Sequence, residues 1–142
     1  MRFELPANKK LIHEMTMPIR WGDMDAMSHV NNTVYLRYFE VIRLDWFFRA
    51  AAPHGITELS GEGVLIVNAF CNFIRQLEFP GEVYARLFAA EVGRSSFDTL
   101  FTLERTDQPG IIYAEGGSTT VWTDYAARKS KPMPAWLRQI VS

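Results

Sequence analysis

The pattern of apolar and polar positions divides the chain into one alternating stretch, one nearly continuous apolar stretch and a long alternating remainder. Residues 12–20, from Ile12 to Arg20, alternate well enough for a first strand, and Pro18 confines that strand to a sheet edge or its end. Residues 1–10 are polar, carry Pro6 and read as a loose lead-in. A loop rich in Gly, Asp and Ser follows from Trp21 to Val30. Asn31 and Asn32 then mark a helix start, because an Asn side-chain oxygen can accept a free helix N–H. No Glu stands three residues on, so no capping box is expected. The helix should run to about Ala51, where Pro53-His54-Gly55 stops it. Val34, Tyr35, Leu36, Tyr38, Phe39, Val41, Ile42, Leu44, Trp46, Phe47 and Phe48 cover most of its circumference. A helix apolar nearly all round is surrounded by protein. At roughly 28 Å long it needs a large curved sheet, or a sheet plus a partner subunit, to cover it.

Four long strands should supply that sheet: Val64–Glu78, Glu82–Val92, Ser96–Arg105 and Ile111–Thr123. Pro80-Gly81, Gly93-Arg94 and Asp107–Gly110 are the turns between them. Such short links predict an antiparallel meander of all four. Gly116-Gly117 inside the last strand signals a bulge or a close backbone approach. Residues 125–134 form a polar, basic tail, and Pro134–Ile140 a short closing helix. The expectation is an α+β domain spanning 1–142, with a five-stranded antiparallel sheet wrapped around one long central helix.

Composition removes several function classes. The 142 residues are 48% hydrophobic and 22% charged, a globular balance with enough chain for a sizeable core. A net charge of −1 with no basic arm argues against nucleic acid, and no polybasic amphipathic segment argues for a membrane surface. No apolar run is long enough to span a bilayer, and no secretory leader pattern opens the chain, so a cytoplasmic setting is expected. The one cysteine, Cys71, excludes an intrachain disulfide and reads as a small packed group inside a strand.

The chemistry is concentrated before the helix. Asp23, Asp25, Ser28 and His29 stand within one loop. Such residues also cap helices and bond their own turns without further purpose. Their position gives them more scope, because a helix N-terminus offers free N–H groups and a positive dipole end. Those groups suit an oxyanion forming on an attacked carbonyl, with a nearby carboxylate as general base or nucleophile. Asp23, Asp25 and His29 carry metal-ligand atoms, but no second His or Cys motif joins them, and neither metal nor cofactor is expected. No Gly-x-Ser-x-Gly elbow supports Ser28 as a triad nucleophile. Glu40 should pair with Arg37 or Arg43, and Asp45 with Arg49, at helical spacing.

Asp23-Met-Asp-Ala-Met-Ser-His-Val-Asn-Asn-Thr-Val-Tyr-Leu-Arg-Tyr-Phe-Glu40 resembles the signature of hotdog-fold acyl-CoA thioesterases of the 4-hydroxybenzoyl-CoA thioesterase type. The order of elements over residues 12–140 is similar too. The resemblance implies hydrolysis of an acyl-CoA thioester to a carboxylic acid and free CoA. It makes Asp25 the catalytic carboxylate, acting on water or attacking directly, and Asp23 a residue that orders the loop. The backbone N–H of Asn32 would polarise the carbonyl. His29 and Asn31 would line the site, with Tyr35 facing it or packing beneath. Arg94, Ser95 and Ser96 would hold the CoA phosphates, often across a dimer interface, with Arg128, Lys129 and Lys131 as possible additions. The acyl end would need an apolar tunnel, for which Phe39, Trp46, Phe47, Phe70 and Phe73 are candidates, although a Phe or Trp on such elements is more often simply core. Many relatives carry Gly where Ser28 stands, so the loop shape is open. A homodimer or homotetramer is implied, acting on CoA or acyl-carrier-protein thioesters. A hotdog (R)-hydratase or dehydratase, and a non-catalytic acyl-thioester-binding protein, remain alternatives.

Overall fold

Proline lacks the N–H that a central strand must donate, and β1 (Lys10–Ile19), which contains Pro18, lies at one edge of the sheet. The computed structural model describes residues 1–142. After β1 come a single 3-10 turn at Trp21–Asp23 and the helix α1 (Asn32–Ala51). The helix begins as its cap residues dictate: the Asn31 side chain accepts the Thr33 N–H at 3.0 Å. It passes into a short 3-10 turn that ends at Gly55, whose φ of 76° is the left-handed geometry glycine adopts most readily.

The remaining strands are β2 (Glu62–Phe73), β3 (Gly81–Ala90), β4 (Ser96–Arg105), β5 (Gln108–Asp124) and the two-residue β6 (Lys129–Ser130), with α2 (Ala135–Val141) last. The five long strands run in the order β1-β3-β4-β5-β2, each neighbouring pair antiparallel, and β6 adds to β5. The expected four-strand meander is therefore corrected. Only β3, β4 and β5 form one, because β1 takes the place beside β3 and leaves β2 to pair with β5. The expected strand to Glu78 also ends early. At Ile74 and Arg75 the chain leaves the sheet, and both N–H groups turn onto the Tyr113 carbonyl at 3.0 and 2.9 Å. Residues 74–80 then cross past the N-terminal end of α1, where the Leu77 carbonyl accepts the Val30 N–H at 2.8 Å.

Side chains on the concave face of the sheet meet one side of α1. Phe39 stacks on Phe101 with ring centroids 4.5 Å apart, Trp46 meets Phe97 at 6.1 Å, and Phe47 meets Trp122 at 6.2 Å. Each such burial contributes about 1.5–3 kcal/mol. Gly116 and Gly117 keep the β5 register against both neighbours, so they form a close approach and no bulge. A Cβ on Gly116 would come within 2.9 Å of the Phe39 ring, and one on Gly117 within 2.7 Å of Leu100. The opposite side of α1 leaves Leu36, Val41, Leu44 and Phe48 at solvent, so this chain alone does not surround its helix.

The N-terminal residues are not the loose lead-in that their polarity suggests. Phe3 exchanges both backbone groups with the Asn72 side chain and packs on Phe70 at 5.2 Å. Arg2 reaches Glu115 at 3.2 Å, and the Lys9 ammonium sits 5.2 Å over the Phe88 ring. This strap covers an apolar row on the convex face, formed by Phe70, Leu100 and Phe88 across paired strands.

Candidate active site

Asp25 is fixed by its own loop. Its backbone N–H donates to the His29 carbonyl at 2.8 Å, and its carbonyl accepts from Ser28 at 3.1 Å. Its Oδ1 accepts the N–H groups of Met27 at 2.8 Å and His29 at 3.3 Å. Its other carboxylate oxygen has no partner in the chain. Closing this turn puts Ser28 at φ 63°, the conformation a glycine would take without strain, so the serine keeps the loop shape that its β-carbon disfavours. Asp23 supports the loop from behind. Its Oδ2 accepts from the Arg20 N–H at 2.9 Å and the Tyr38 hydroxyl at 3.0 Å, and its carbonyl holds the Asn31 N–H at 2.9 Å. Burial, then this carboxylate, raises the Tyr38 phenol above its ordinary value.

The N-terminus of α1 is left selectively open. The Thr33 N–H goes to the Asn31 side chain and the Val34 N–H to the Asn31 carbonyl. The N–H of Asn32 has no acceptor within the chain. Asn32, Asp25, His29 and Tyr35 line one cavity of about 620 Å³ together with Met27, Val30, Phe73, Ile74, Arg75 and Gln76. An unpaired donor at a positive dipole end and a half-free carboxylate thus share one space. Tyr35 works from beneath. Its hydroxyl accepts the Leu77 N–H at 3.1 Å, its ring meets Phe73 edge-on at 4.9 Å, and burial raises its phenol above the usual range. The His29 ring points to Glu78, with 3.6 Å between Nε2 and Oε1.

Four of the expected site residues therefore come together, while Asn31 serves as the cap behind them. Arg94, Ser95 and Ser96 do not join them in one protomer. Ser96 pairs with Val121, seven positions along β4 from Leu103, the partner of Ala114 beside Phe73. That places the turn about 23 Å away along the sheet. Its backbone instead holds the chain's end, with the Arg94 carbonyl accepting from Met133 and Arg138. Of the residues named for an apolar tunnel, Phe39, Trp46 and Phe47 are packed core, as aromatic residues on such elements more often are, Phe70 lies under the N-terminal strap, and Phe73 lines the cavity. The wall formed by Ile74–Gln76, and Glu78 opposite His29, carried no sequence signal. Glu40 pairs with Arg37 at 3.0 Å and Asp45 with Arg49 at 3.1 Å, as spacing implied. Asp45 also meets His13 at 2.7 Å. Burial, then Glu115, pushes the Cys71 thiol up to about 12, which removes it as a nucleophile near neutrality. No three His, Cys, Asp or Glu side chains are grouped to hold a metal ion.

A family model described as the thioesterase-like superfamily matches residues 19–141. The chain belongs to that superfamily. A candidate thioesterase of Pseudomonas aeruginosa is 32% identical, with a TM-score of 0.87, over 94% of this chain and 100% of the other. A candidate acyl-CoA thioesterase of Xanthomonas campestris is 26% identical, with a TM-score of 0.76, over 87% and 100%. A gentisyl-coenzyme A thioesterase shares the fold at 22% identity and a TM-score of 0.80, over 92% and 100%. No curated protein matches the sequence. The curled antiparallel sheet around a long helix is the hotdog fold of these thioesterases, and membership supports thioester hydrolysis as the general activity. No helix is long and apolar enough to cross a membrane.

Proposed function

We propose that this chain hydrolyses an acyl-CoA thioester to a carboxylic acid and free CoA. The observation that carries the reading is the pairing, in one cavity, of the Asn32 N–H without an acceptor and an Asp25 carboxylate with one oxygen held and one free. The thioester carbonyl oxygen accepts from the Asn32 N–H, which with the helix dipole stabilises the charge that develops on it. The free Asp25 oxygen takes a proton from water as the water oxygen attacks the carbonyl carbon. Collapse of the tetrahedral intermediate then expels the CoA thiolate. The same oxygen is equally placed for direct attack, giving a mixed anhydride that water opens. His29 shapes the turn through its backbone and the cavity wall through its ring.

The CoA end is best supplied by a second copy. β2 is a twelve-residue edge strand with Leu65, Val67 and Phe73 exposed, and an edge of that length invites pairing. Antiparallel pairing through β2 would lay the Phe73 end of one copy beside the Glu62 end of the other. Arg94, Ser95 and Ser96 of the partner subunit would then approach the cavity, along with the basic tail at Arg128 and Lys129. A cytoplasmic homodimer acting as one domain per subunit is the form this reading favours. Asp25→Asn, assayed for thiol release over a panel of acyl-CoAs, should lose at least 100-fold in kcat; near wild-type turnover would overturn the mechanism. Arg94→Ala should raise KM for acyl-CoA and spare the matching N-acetylcysteamine thioester, which has no phosphates. Hydration of crotonyl-CoA without thiol release would point to a hydratase instead.

A further inference from the structure

A cleft of about 430 Å³ opens on the convex face of the sheet beside the β4–β5 hairpin, and it shares no residue with the cavity at Asp25. Its buried polar group is Glu104 of β4, which is 4% exposed. The sheet is deformed at this point. Leu103 faces Ala114 but Glu104 faces Ile112, so Tyr113 has no partner on β4 and the register slips by one residue. A bulge of this kind re-aims the side chains beside it, and here Ile112 comes to share the cleft with Glu104. Gly110, at φ 87°, donates its N–H to Glu104 Oε1 at 2.5 Å. Glu104 Oε2 accepts no hydrogen bond within the chain. Nη2 of Arg86 stands 3.9 Å from it, near enough for charge attraction and too far for a hydrogen bond.

We propose that this cleft binds a small neutral ligand presenting an N–H beside a C=O, the lactam edge found on nucleobases such as hypoxanthine and uracil. Arg86 is held in place for such a role. Its Nε donates to the Tyr84 hydroxyl at 3.3 Å, its guanidinium lies 5.1 Å over the Tyr84 ring, and Tyr84 in turn donates to Glu14. The two terminal nitrogens of Arg86 make no hydrogen bond within the chain. Arg105, which also borders the cleft, is engaged by Asp107 and by the Glu78 and Pro80 carbonyls. The cleft therefore offers one buried acceptor and one fixed donor side by side. A buried carboxylate oxygen without a donor is costly, so a group that supplies one gains most there. Charge narrows the choice. A carboxylate ligand would meet Arg86 but also Glu104 and Glu14, and an ammonium would meet both acids but also Arg86. A lactam satisfies both partners without adding charge. Pro109 and Ile112 supply the apolar walls that suit a flat ring.

Calorimetric titration of the full chain tests the site, with inosine and uridine as probes and 1-methylinosine and 3-methyluridine as counterparts lacking the N–H. At least one probe should bind with Kd below about 1 mM, and its N-methylated counterpart at least about tenfold more weakly. Glu104→Gln keeps an acceptor for Gly110 and puts an amide NH2 where the free oxygen stood, so it should weaken binding at least about tenfold. Arg86→Gln, at a half-exposed position, should do the same without altering the urea midpoint beyond the effect of a surface change. Absence of binding by both probes would show that the gap between Glu104 and Arg86 holds water alone and would overturn the site. Equal affinity for the methylated compounds, undiminished binding in both variants, or a preference for benzoate or benzamidine would overturn it as well. Binding is read without turnover, so the outcome is independent of the thioesterase reading.

Discussion

At the C-terminal end of α1, Trp46 and Phe47 lie against Phe97 and Trp122, and Trp122 meets Trp136 of α2 at 6.0 Å. Leu137 and Val141 of α2 are buried beneath that cap. At the N-terminal end the same helix meets a polar turn, a serine in a left-handed conformation, an unpaired N–H and two open cavities. Aromatic residues are abundant at both ends. At one, Trp46, Phe47, Phe97 and Trp122 are sealed, whereas at the other Trp21 and Phe79 stay exposed around a carboxylate. The difference separates two uses of one sheet and helix: the sealed end supplies the stability that lets the open end keep unsatisfied groups in place.

The comparison breaks most sharply if each end is attacked alone. Asp25→Asn keeps the Oδ1 that accepts the Met27 and His29 N–H groups, so it should cost at least 100-fold in kcat while the urea midpoint stays close to wild type. Trp122→Ala does the opposite. Trp122 is fully buried, and the truncation should cost about 3–5 kcal/mol, read by urea unfolding, with Trp122→Phe as a milder variant in the same direction. Activity per folded molecule should barely change. A large loss of stability in Asp25→Asn would show that the two ends are not separable in this way.

Tyr35 sits where the two regimes meet, and its removal should affect both. Tyr35→Phe leaves the buried Leu77 N–H without its acceptor, a loss of about 1–3 kcal/mol in the urea midpoint. Leu77 also anchors Val30 through its carbonyl, so the cavity wall should loosen and KM for acyl-CoA should rise. Unchanged stability with raised KM would make Tyr35 a substrate contact and not a strut.

The helix span was legible because its signals are local: Asn31 caps it, and Pro53 with Gly55 ends it. The turns of β3, β4 and β5 were legible for the same reason. The pairing of β2 with β5 was not, since two apolar strands carry no local mark of their partner, and a short link suggested the wrong one. The site divides similarly. Asp25 and His29 read as part of one polar loop ahead of the helix, and the family signature added Asn32 and Tyr35, all within eleven residues. Phe73, Arg75 and Gln76 reach it only through the crossover that the strand pattern concealed. Polar composition also hid the N-terminal strap, because its hold on the sheet lies in two bonds between the Phe3 backbone and Asn72.

Midway along α1 the His13–Asp45–Arg49 group ties the helix to the β1 edge. The hydrogen bond from His13, and after it the one from Arg49, holds the Asp45 carboxyl below its ordinary value. A depressed carboxylate contributes stability that is present above its unfolded value, near 3.8, and is lost as pH falls through the lower folded value. Asp45→Asn should therefore flatten part of the acid limb of the stability–pH curve below about pH 4. Asp107, lowered by Arg105, remains to shape the rest of that limb. An acid limb identical to wild type would show that the pair does not hold the helix to the edge strand in solution.

The smallest effect concerns Ser28, where strain is confined to one residue of the open end. A non-glycine residue in the left-handed region carries roughly 1–2 kcal/mol of steric cost, whereas glycine adds back about 0.4–1 kcal/mol through its freer unfolded chain. Ser28→Gly should thus raise stability by no more than about 1.6 kcal/mol, visible as a Tm increase of up to about 6 °C. The bonds that close the turn all involve backbone atoms or Asp25, so the substitution leaves them in place. A fall in Tm would mean that the serine hydroxyl contributes more than its backbone angle costs. The local strain would then be compensated at the same residue, and the sealed end would not be needed to hold this loop.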